Sequence, residues 1–383
     1  MTSRALGDLC DVRIGRTPRR DSPQFWNGDF PWVTISELDG SLITRSKEGI
    51  TQLAIETVMP PPVPAGTLLF SFKLSIGKMA VAGVPLHTNE AIAALVIRDF
   101  DELDRDYLRF ALMATSTGDG ANHAVLGKVL NKAKVEALQI LLLPLEEQRH
   151  LVDLLSRAEG IVRLRREAQR KAAELVPALF LDMFGDPASN PKGWQTVSLS
   201  EVSTVGSGAG FPIADQGCDT GDYPFYKVGD MNLPGNEEAM ASSRNYIDEA
   251  TRSRLRATAF PPGAVIFPKI GAAIATNKKR VLSIPSCVDN NVMAVVPSDR
   301  LLSSYLHALL MHADLSDFAS DSNPPSIRKT TVEAWRIPLP PVDLQHQFAA
   351  KADAVRGIAT QQAAALVAAQ ATFDALLHQS FQH

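Results

Sequence analysis

Apolar and polar residues alternate in short bursts over the first third of the chain, then settle into a helical spacing. Trp32–Ile35, Thr67–Phe72, Lys78–Ala82 and Ala91–Ile97 are apolar runs bounded by turn-forming residues, and they read as strands. At Asp104–Thr115 the period changes, with Tyr107, Leu108, Phe110, Ala111 and Leu112 on one face of an amphipathic helix. Beyond Pro144 the helical period continues. Leu151, Leu154, Ala158, Ile161, Arg165, Ala168, Ala172, Leu175 and Leu179 recur at spacings of three and four, an a/d seam interrupted once by a charge. Gly160 weakens it modestly. Pro177 should kink or end the helix, because its ring clashes with the carbonyl four residues back. Gly185 and Pro187 then supply a C′ glycine and a stop.

The same order returns. Strand-like Phe225–Val228, Ala264–Phe267, Arg280–Ile284 and Val292–Val296 precede a helix at Leu301–Ala313, then a second long helical stretch, Asp343–Phe381. The residues align as well as the pattern. Leu6–Leu38 lies on Leu199–Met231 at an offset of 193, with Val12 on Val205, Gly15 on Gly208 and Gly28 on Gly221. Later the offset is 197, and Ile140–Gln148 meets Ile337–Gln345. A repeat of this length is a duplicated module, since solenoid units run to about 20–50 residues. The expected layout is a mixed α/β domain over 1–144, a helix over 145–184, a second domain over 185–341 and a second helix over 342–383. The fold class is α+β, a pseudo-twofold tandem repeat.

The second helix is alanine-rich around Ala363–Ala369, and alanine favours helix over disorder. Neither apolar stripe is wide enough for a stable solitary helix, so the two are expected to pair antiparallel, coiled-coil fashion, with a globule at either end. A spacer of about 30–38 residues spans roughly 45–57 Å. That exceeds one turn of B-DNA, about 34–36 Å, so two reading heads could address two half-sites.

Composition narrows the class. The chain has 383 residues, 45% hydrophobic, with a formal charge of −4 and a pI near 6.1. No apolar run approaches the roughly 20 residues of a membrane span, and the N-terminus lacks a signal-peptide core, so a cytoplasmic protein is expected. Cys10, Cys218 and Cys287 are too far apart for a zinc site or a disulfide framework. His307 and His312 miss the i,i+4 spacing of a helical metal pair, so no metal is expected. An acidic pI counts against a nucleic-acid reader, but phosphate is neutralised by local patches and by partners.

Several motifs converge on one family. Pro144-Leu-Glu-Glu-Gln148-Arg149 leads into a long helix that closes with Met183-Phe-Gly-Asp-Pro187 and Gly193-Trp194. Ile337-Pro-Leu-Pro-Pro-Val-Asp-Leu-Gln345 repeats the entry to the helix. Gly15-Arg-Thr-Pro18, Phe25–Trp32, Phe267–Gly271 and Val288–Val292 fall in the globules. The set, in this order and within a duplication, resembles the specificity subunit of Type I restriction-modification enzymes. That resemblance implies a non-catalytic protein with two target-recognition domains, each reading half of a split DNA sequence. It implies two methyltransferase subunits docked on the helices, joined by translocase/endonuclease subunits. S-adenosylmethionine, ATP and Mg2+ would belong to those partners, with no cofactor in this chain. The copies diverge outside the framework, which implies an asymmetric target.

Base readout needs Arg, Lys, Asn or Gln at base edges, while Lys and Arg on phosphates set position. Loops of the first module offer Arg16, Arg19, Arg20, Lys73 and Lys78, and those of the second Lys227, Lys269, Lys278, Lys279 and Arg280. Asn89 and Asn290-Asn291 fall at matched positions and offer bidentate amides. Exposed cations are equally ordinary surface residues, and asparagines equally suit turns. Lys278–Arg280 stand out as three adjacent cations without an anion beside them. Arg163–Lys171, with five positive charges and one negative, suits DNA passing between the heads, a methyltransferase contact, or simply a solvated helix face. Leu151, Leu154, Ala158, Ile161 and Leu175 are the expected packing positions of the spacer and its partners.

A self-contained adenine-N6 methyltransferase is the enzyme alternative. Asn323-Pro-Pro-Ser326 resembles its target-base motif, and Val205–Gly210 a cofactor loop. Ser326 replaces the stacking aromatic, however, and Pro212 stands where a helix should open. Gly120–Lys128 is not a P-loop, having the wrong spacing and Val129 where Ser or Thr is needed. A coiled-coil scaffold with two peptide-binding heads fits the acidic pI but not the motifs.

Overall fold

The apolar runs of the first copy assemble a five-stranded sheet in the order Cys10–Ile14, Ile92–Ile97, Leu68–Ser71, Met79–Ala82, Leu42–Ile43. Neighbours are antiparallel except the last pair. The coordinates are a computed structural model, which describes residues 2–117 and 130–381. Both faces of this sheet are covered, which is why its strands read as continuous apolar runs rather than as an alternation. Ala93, Leu95, Leu68 and Phe70 face the helix Arg105–Thr117 through Tyr107, Leu108, Ala111 and Leu112. Ile92, Ala94, Leu69 and Ala80 face Val33, Ile35, Leu38 and Leu86 on the other side. A three-stranded sheet orders Glu48–Ile50, Trp26–Val33 and His87–Thr88, and Thr2–Ala5 pairs with Gln139–Leu142.

The second copy repeats this strand for strand. Its five-stranded sheet runs Ser203–Ser207, Val292–Pro297, Val265–Pro268, Arg280–Leu282, Ala239–Met240, again with only the last pair parallel. Its small sheets are Tyr246–Ile247, Tyr223–Tyr226, Cys287–Val288 and the pair Thr196–Ser198 with Arg336–Pro338. Registers correspond too, Val12 opposite Leu95 answering to Val205 opposite Val295. Gly15 and Gly208 explain themselves here. A Cβ on either would lie about 2 Å from the carbonyl of Thr88 or Asp289, so only glycine lets the strand end cross the turn. The strand Ser203–Ser207 takes in Gly206, which the methyltransferase alternative would place in a cofactor loop.

Two uninterrupted helices, Leu145–Phe184 and Val342–Phe381, complete the chain. Pro177 neither ends nor breaks the first. It is exposed, and the turn after it is anchored by Phe180 and Phe184, both buried. Phe180 stacks on His312 at 4.9 Å, and Phe184 meets Tyr305 at 4.8 Å and Phe348 at 5.4 Å. Such aromatic pairs add about 0.5–1.5 kcal/mol each beyond burial, together comparable to the roughly 3 kcal/mol that a proline costs inside a helix.

Two compact units emerge, Met1–Glu167 with Ala364–His383, and Ala168–Ala363. Each therefore holds one globule and half of each long helix, and within each the halves run antiparallel. In the first unit Leu151 and Val152 near the start of one helix share a core with Phe381 at the end of the other. Half of the expected seam packs, Leu151, Ala158, Ala172 and Leu179 lying in or against the cores, and the alternate positions are displaced by one residue. Leu155 and Val162 are buried, while Leu154 and Ile161 are exposed, as is Leu175 beside the half-buried Val176. Leu151 and Ala158 are half-buried. At these alternate positions apolar residues stand in adjacent pairs, so spacing permits either member to pack, and the second of each pair does.

Candidate nucleic-acid interface

Strand direction brings the loop candidates of each unit to one end of its larger sheet. In the first unit Cys10–Ile14 and Leu68–Ser71 end where Met79–Ala82 and Ile92–Ile97 begin. Arg16, Arg19, Arg20, Lys73, Lys78 and Asn89 all lie in the connections at that end. The loop carrying the arginines is stiff. Trp32 Nε1 donates to the Arg16 carbonyl at 2.9 Å and Trp26 Nε1 to that of Arg19 at 3.0 Å. The two indoles meet edge to face at 5.0 Å. Arg20 lies over both rings, 4.0 and 4.8 Å from their centroids, and its fork is taken by Glu48. That bond holds the Glu48 carboxyl below, and the Arg20 guanidinium above, their ordinary pKa ranges. Arg20 is therefore a brace. Arg16 is exposed, donating once to the Val58 carbonyl at 3.0 Å, and Arg19 is exposed beside Asp21 at 3.0 Å. Lys78 is exposed and Lys73 half-buried. Glu90, bonded to Thr17 and close enough to Lys73 to feel its charge, stays ionised between the two loops.

The second unit builds the corresponding end differently. Lys227 donates to Gln216 at 2.9 Å and Lys269 to Ser207 at 3.1 Å, and both act electrostatically on Asp289. Burial raises the pKa of that carboxyl and lowers that of Lys269. Lys278 reaches Asn232. Arg280 donates to the carbonyls of Lys279 and Met231 at 2.8 and 3.2 Å. Lys279 is a correction. It is 1% exposed, with its ammonium on the Ala313 carbonyl at 2.8 Å and on Asn277 at 2.6 Å, and burial depresses its pKa to about 8. The cations of 278–280 avoid mutual repulsion by pointing apart, and Lys279 is a core residue that cannot reach DNA. A second correction concerns the asparagines. The counterpart of Asn89 is Asp289, since their amides bond Val33 and Tyr226 respectively. Asn89 Oδ1 accepts from the Ala91 amide at 3.2 Å, an Asx turn, and Asn290 is merely exposed.

Arg163 and Arg166 are exposed in the first unit, lining a groove of about 590 Å³ with Asp39, Ser41, Glu159 and Gln370. In the second unit Arg170 pairs with Glu174 at 3.0 Å. Composition alone passes over Arg252, Arg254 and Arg256. Tyr223, Arg252 and Arg256 line a polar groove, while Arg254 pairs with Asp215. Their alternate spacing was the available signal.

The enzyme motifs dissolve in the same geometry. Pro325 accepts from the Gly271 amide at 2.8 Å, so Asn323–Ser326 braces a neighbouring loop. Gly206 and Gly208 serve strand packing and a crossing, and a single 3-10 turn, Ile213–Asp215, follows them. Gly120–Lys128 and Val129 lie outside the described residues. Among the described residues no three His, Cys, Asp or Glu side chains gather as a metal site, and no helix is long and apolar enough to cross a membrane.

Residues 1–173 and 191–364 match the Type I restriction modification DNA specificity domain, once per copy. The chain belongs to that family. Type I specificity subunits are the non-catalytic, DNA-recognising components of their complexes, so this chain is not a self-contained methyltransferase. It is 22% identical over 372 residues to the MjaIX specificity subunit of Methanocaldococcus jannaschii, covering 90% of this chain and 84% of the relative. Among solved structures, the S subunit from M. genitalium superposes with a TM-score of 0.55 at 14% identity, over 100% of this chain and 96% of that one. A chain from a structural study of Type I complex assembly and conformational transition gives 0.64 at 20% identity, over 100% and 97%.

Proposed function

We propose that this specificity subunit reads a bipartite, asymmetric DNA target, one half with each unit, and directs partner subunits to methylate adenine or cleave DNA there. The observation that carries this is the duplicated topology with unlike loops. The same sheet end presents Arg16, Arg19, Lys73 and Lys78 in one copy, and Lys227, Lys269 and Lys278 around a buried Asp289 in the other. Two frames of one geometry bearing different donors suit two half-sites of different sequence. Two methyltransferase subunits would dock on the long helices, whose Leu154, Ile161 and Leu175 are exposed, and translocase subunits would join them. S-adenosylmethionine, ATP and Mg2+ belong to those partners in this reading, and the complex works in the cytoplasm. The net charge of −4 makes binding depend on charge contributed by the partners.

The test is modified-base sequencing of DNA from a methylation-free host expressing this chain with its neighbouring methyltransferase subunit, beside hosts expressing each alone. A split adenine-methylated motif with unlike halves, seen only with both proteins, is the expected result. An unsplit motif, or methylation by the methyltransferase subunit alone, would overturn it.

A further inference from the structure

One side chain at the DNA-facing end of the first unit has no work inside the fold. The loop Phe72–Lys78 joins the central strands Leu68–Ser71 and Met79–Ala82, and its base is bolted. The Ser71 amide donates to the Lys78 carbonyl at 2.8 Å, and the Gly77 amide to the Ser71 carbonyl at 3.0 Å. The Lys78 amide donates to Ser71 Oγ at 2.9 Å, and the Phe72 amide to the Ala91 carbonyl at 3.1 Å. Ile76 packs into the core. From this stiff mount Leu74 projects 90% exposed, its backbone in the left-handed region at φ +61°.

The second copy shows what the backbone needs there. Lys269 answers to Phe72, its amide donating to the Asn291 carbonyl at 2.8 Å. Two residues further on, where the first copy has Leu74, stands Gly271 with φ +72°. Glycine takes that conformation without strain, whereas a bulky branched residue there is an outlier. The first copy thus holds an isobutyl group in water at a position that asks for no side chain. Lys73 is its immediate neighbour and Lys78 stands at the far end of the same loop.

We propose that Leu74 is an apolar wedge that enters the base stack of the first half-site, with Lys73 and Lys78 closing on the phosphates beside it. Side chains that pry base steps apart combine an apolar tip, a rigid support and adjacent cations, and this loop has all three. The second unit, with Gly271, leaves its half-site undistorted. This inference rests on the reading of one half-site per unit.

The experiment uses the assembled complex of the full chain with its methyltransferase subunits, and duplexes of the methylated motif with 2-aminopurine placed at successive steps of both halves. Wild-type complex is expected to raise fluorescence at one step in the first half-site and at none in the second, away from the methylated adenines. Leu74→Gly, the residue of the second copy, relieves strain and should melt no lower than wild type. It should lose the fluorescence rise and bind the motif about 10–100-fold more weakly, while Leu74→Met retains both. A Leu74→Gly complex that binds within twofold of wild type, or keeps the signal, overturns the wedge. A wild-type complex that does not prefer the motif over a scrambled duplex overturns the half-site reading, and the wedge with it.

Discussion

Gln148 and Gln345 stand at the start of the two long helices, and neither side chain touches water. Gln345 Oε1 accepts from the Leu302 amide at 2.8 Å, while Nε2 donates to the carbonyls of Arg300 and Pro340 at 3.1 and 2.9 Å. Gln148 makes the same three bonds, to the Asp104 amide and the carbonyls of Glu102 and Leu143. The glutamine that marks each helix entry in the sequence is a clamp between helix and globule. Gln345→Leu leaves an amide and two carbonyls buried without partners and should cost about 2–4 kcal/mol, read as a fall in urea midpoint. A midpoint within experimental error of wild type would mean the clamp is dispensable. Lys279 yields a pH prediction of unusual sign. Its folded pKa, near 8, lies below its unfolded value near 10.5, so between those limits the unfolded chain binds more protons. The stability of wild type relative to Lys279→Met should therefore rise from pH 8 to pH 10.5 and stay flat below pH 8. A relative stability that falls through that window would mean that the fold holds the Lys279 proton more tightly than water does, and would contradict the depression by burial.

Along the elements, strands whose residues form unbroken apolar runs were legible because a sheet covered on both faces leaves only one reading. The helix registers were not. Leu154 and Leu155, Ile161 and Val162, and Leu175 and Val176 are chemically equivalent neighbours, and only the packed partner chooses between them. The choice can be tested in the isolated chain. Val162→Ala should cost about 1–2 kcal/mol and Ile161→Ala under about 0.5 kcal/mol, compared by thermal melting. Equal losses would restore the register read from spacing. A second contrast lies where the helices meet the globule. In the first unit Phe110 and Phe373 pack at 6.4 Å, with Arg109 held to Glu159 at 2.8 Å. The corresponding positions of the second unit are Ala308, Val176, His307 and Arg356. A cavity of about 410 Å³ results, lined mainly by apolar groups, with Arg356 drawn to Glu238 at 2.6 Å and the buried His307 Nε2 unbonded. Joint replacement Ala308→Phe and Val176→Phe should fill it as the first unit does, adding about 0.5–2 kcal/mol. A lower melting temperature for the double variant would show that the site is occupied or too narrow for both rings.

At the scale of the whole molecule, the duplication carried most of the recoverable information, because a framework constrains its residues twice. Gly15 and Gly208, or Gln148 and Gln345, are fixed by the same close approach or the same clamp in each copy, and so they align. The loops at the sheet ends are under no such constraint. Asn89 answers to Asp289 and Leu74 to Gly271, and a loop that must differ between copies leaves no repeat to find. Lys279 deceived for a related reason, since charge in a sequence says nothing of whether a carbonyl such as that of Ala313 waits beneath it. The framework and the readers should then be separable. If the two globules are interchangeable mounts, a chain whose residues 185–341 are replaced by residues 1–144 presents one set of loops twice. On the proposed reading, in which the two copies face the two half-sites in opposite senses, the hybrid should direct methylation to a symmetric motif, the first half-site followed by its inverted repeat. Modified-base sequencing in a methylation-free host reads the result directly. An asymmetric motif from the hybrid, with the original second half retained, would place the reading of that half in the helices or in a partner subunit, and not in the globule that was exchanged.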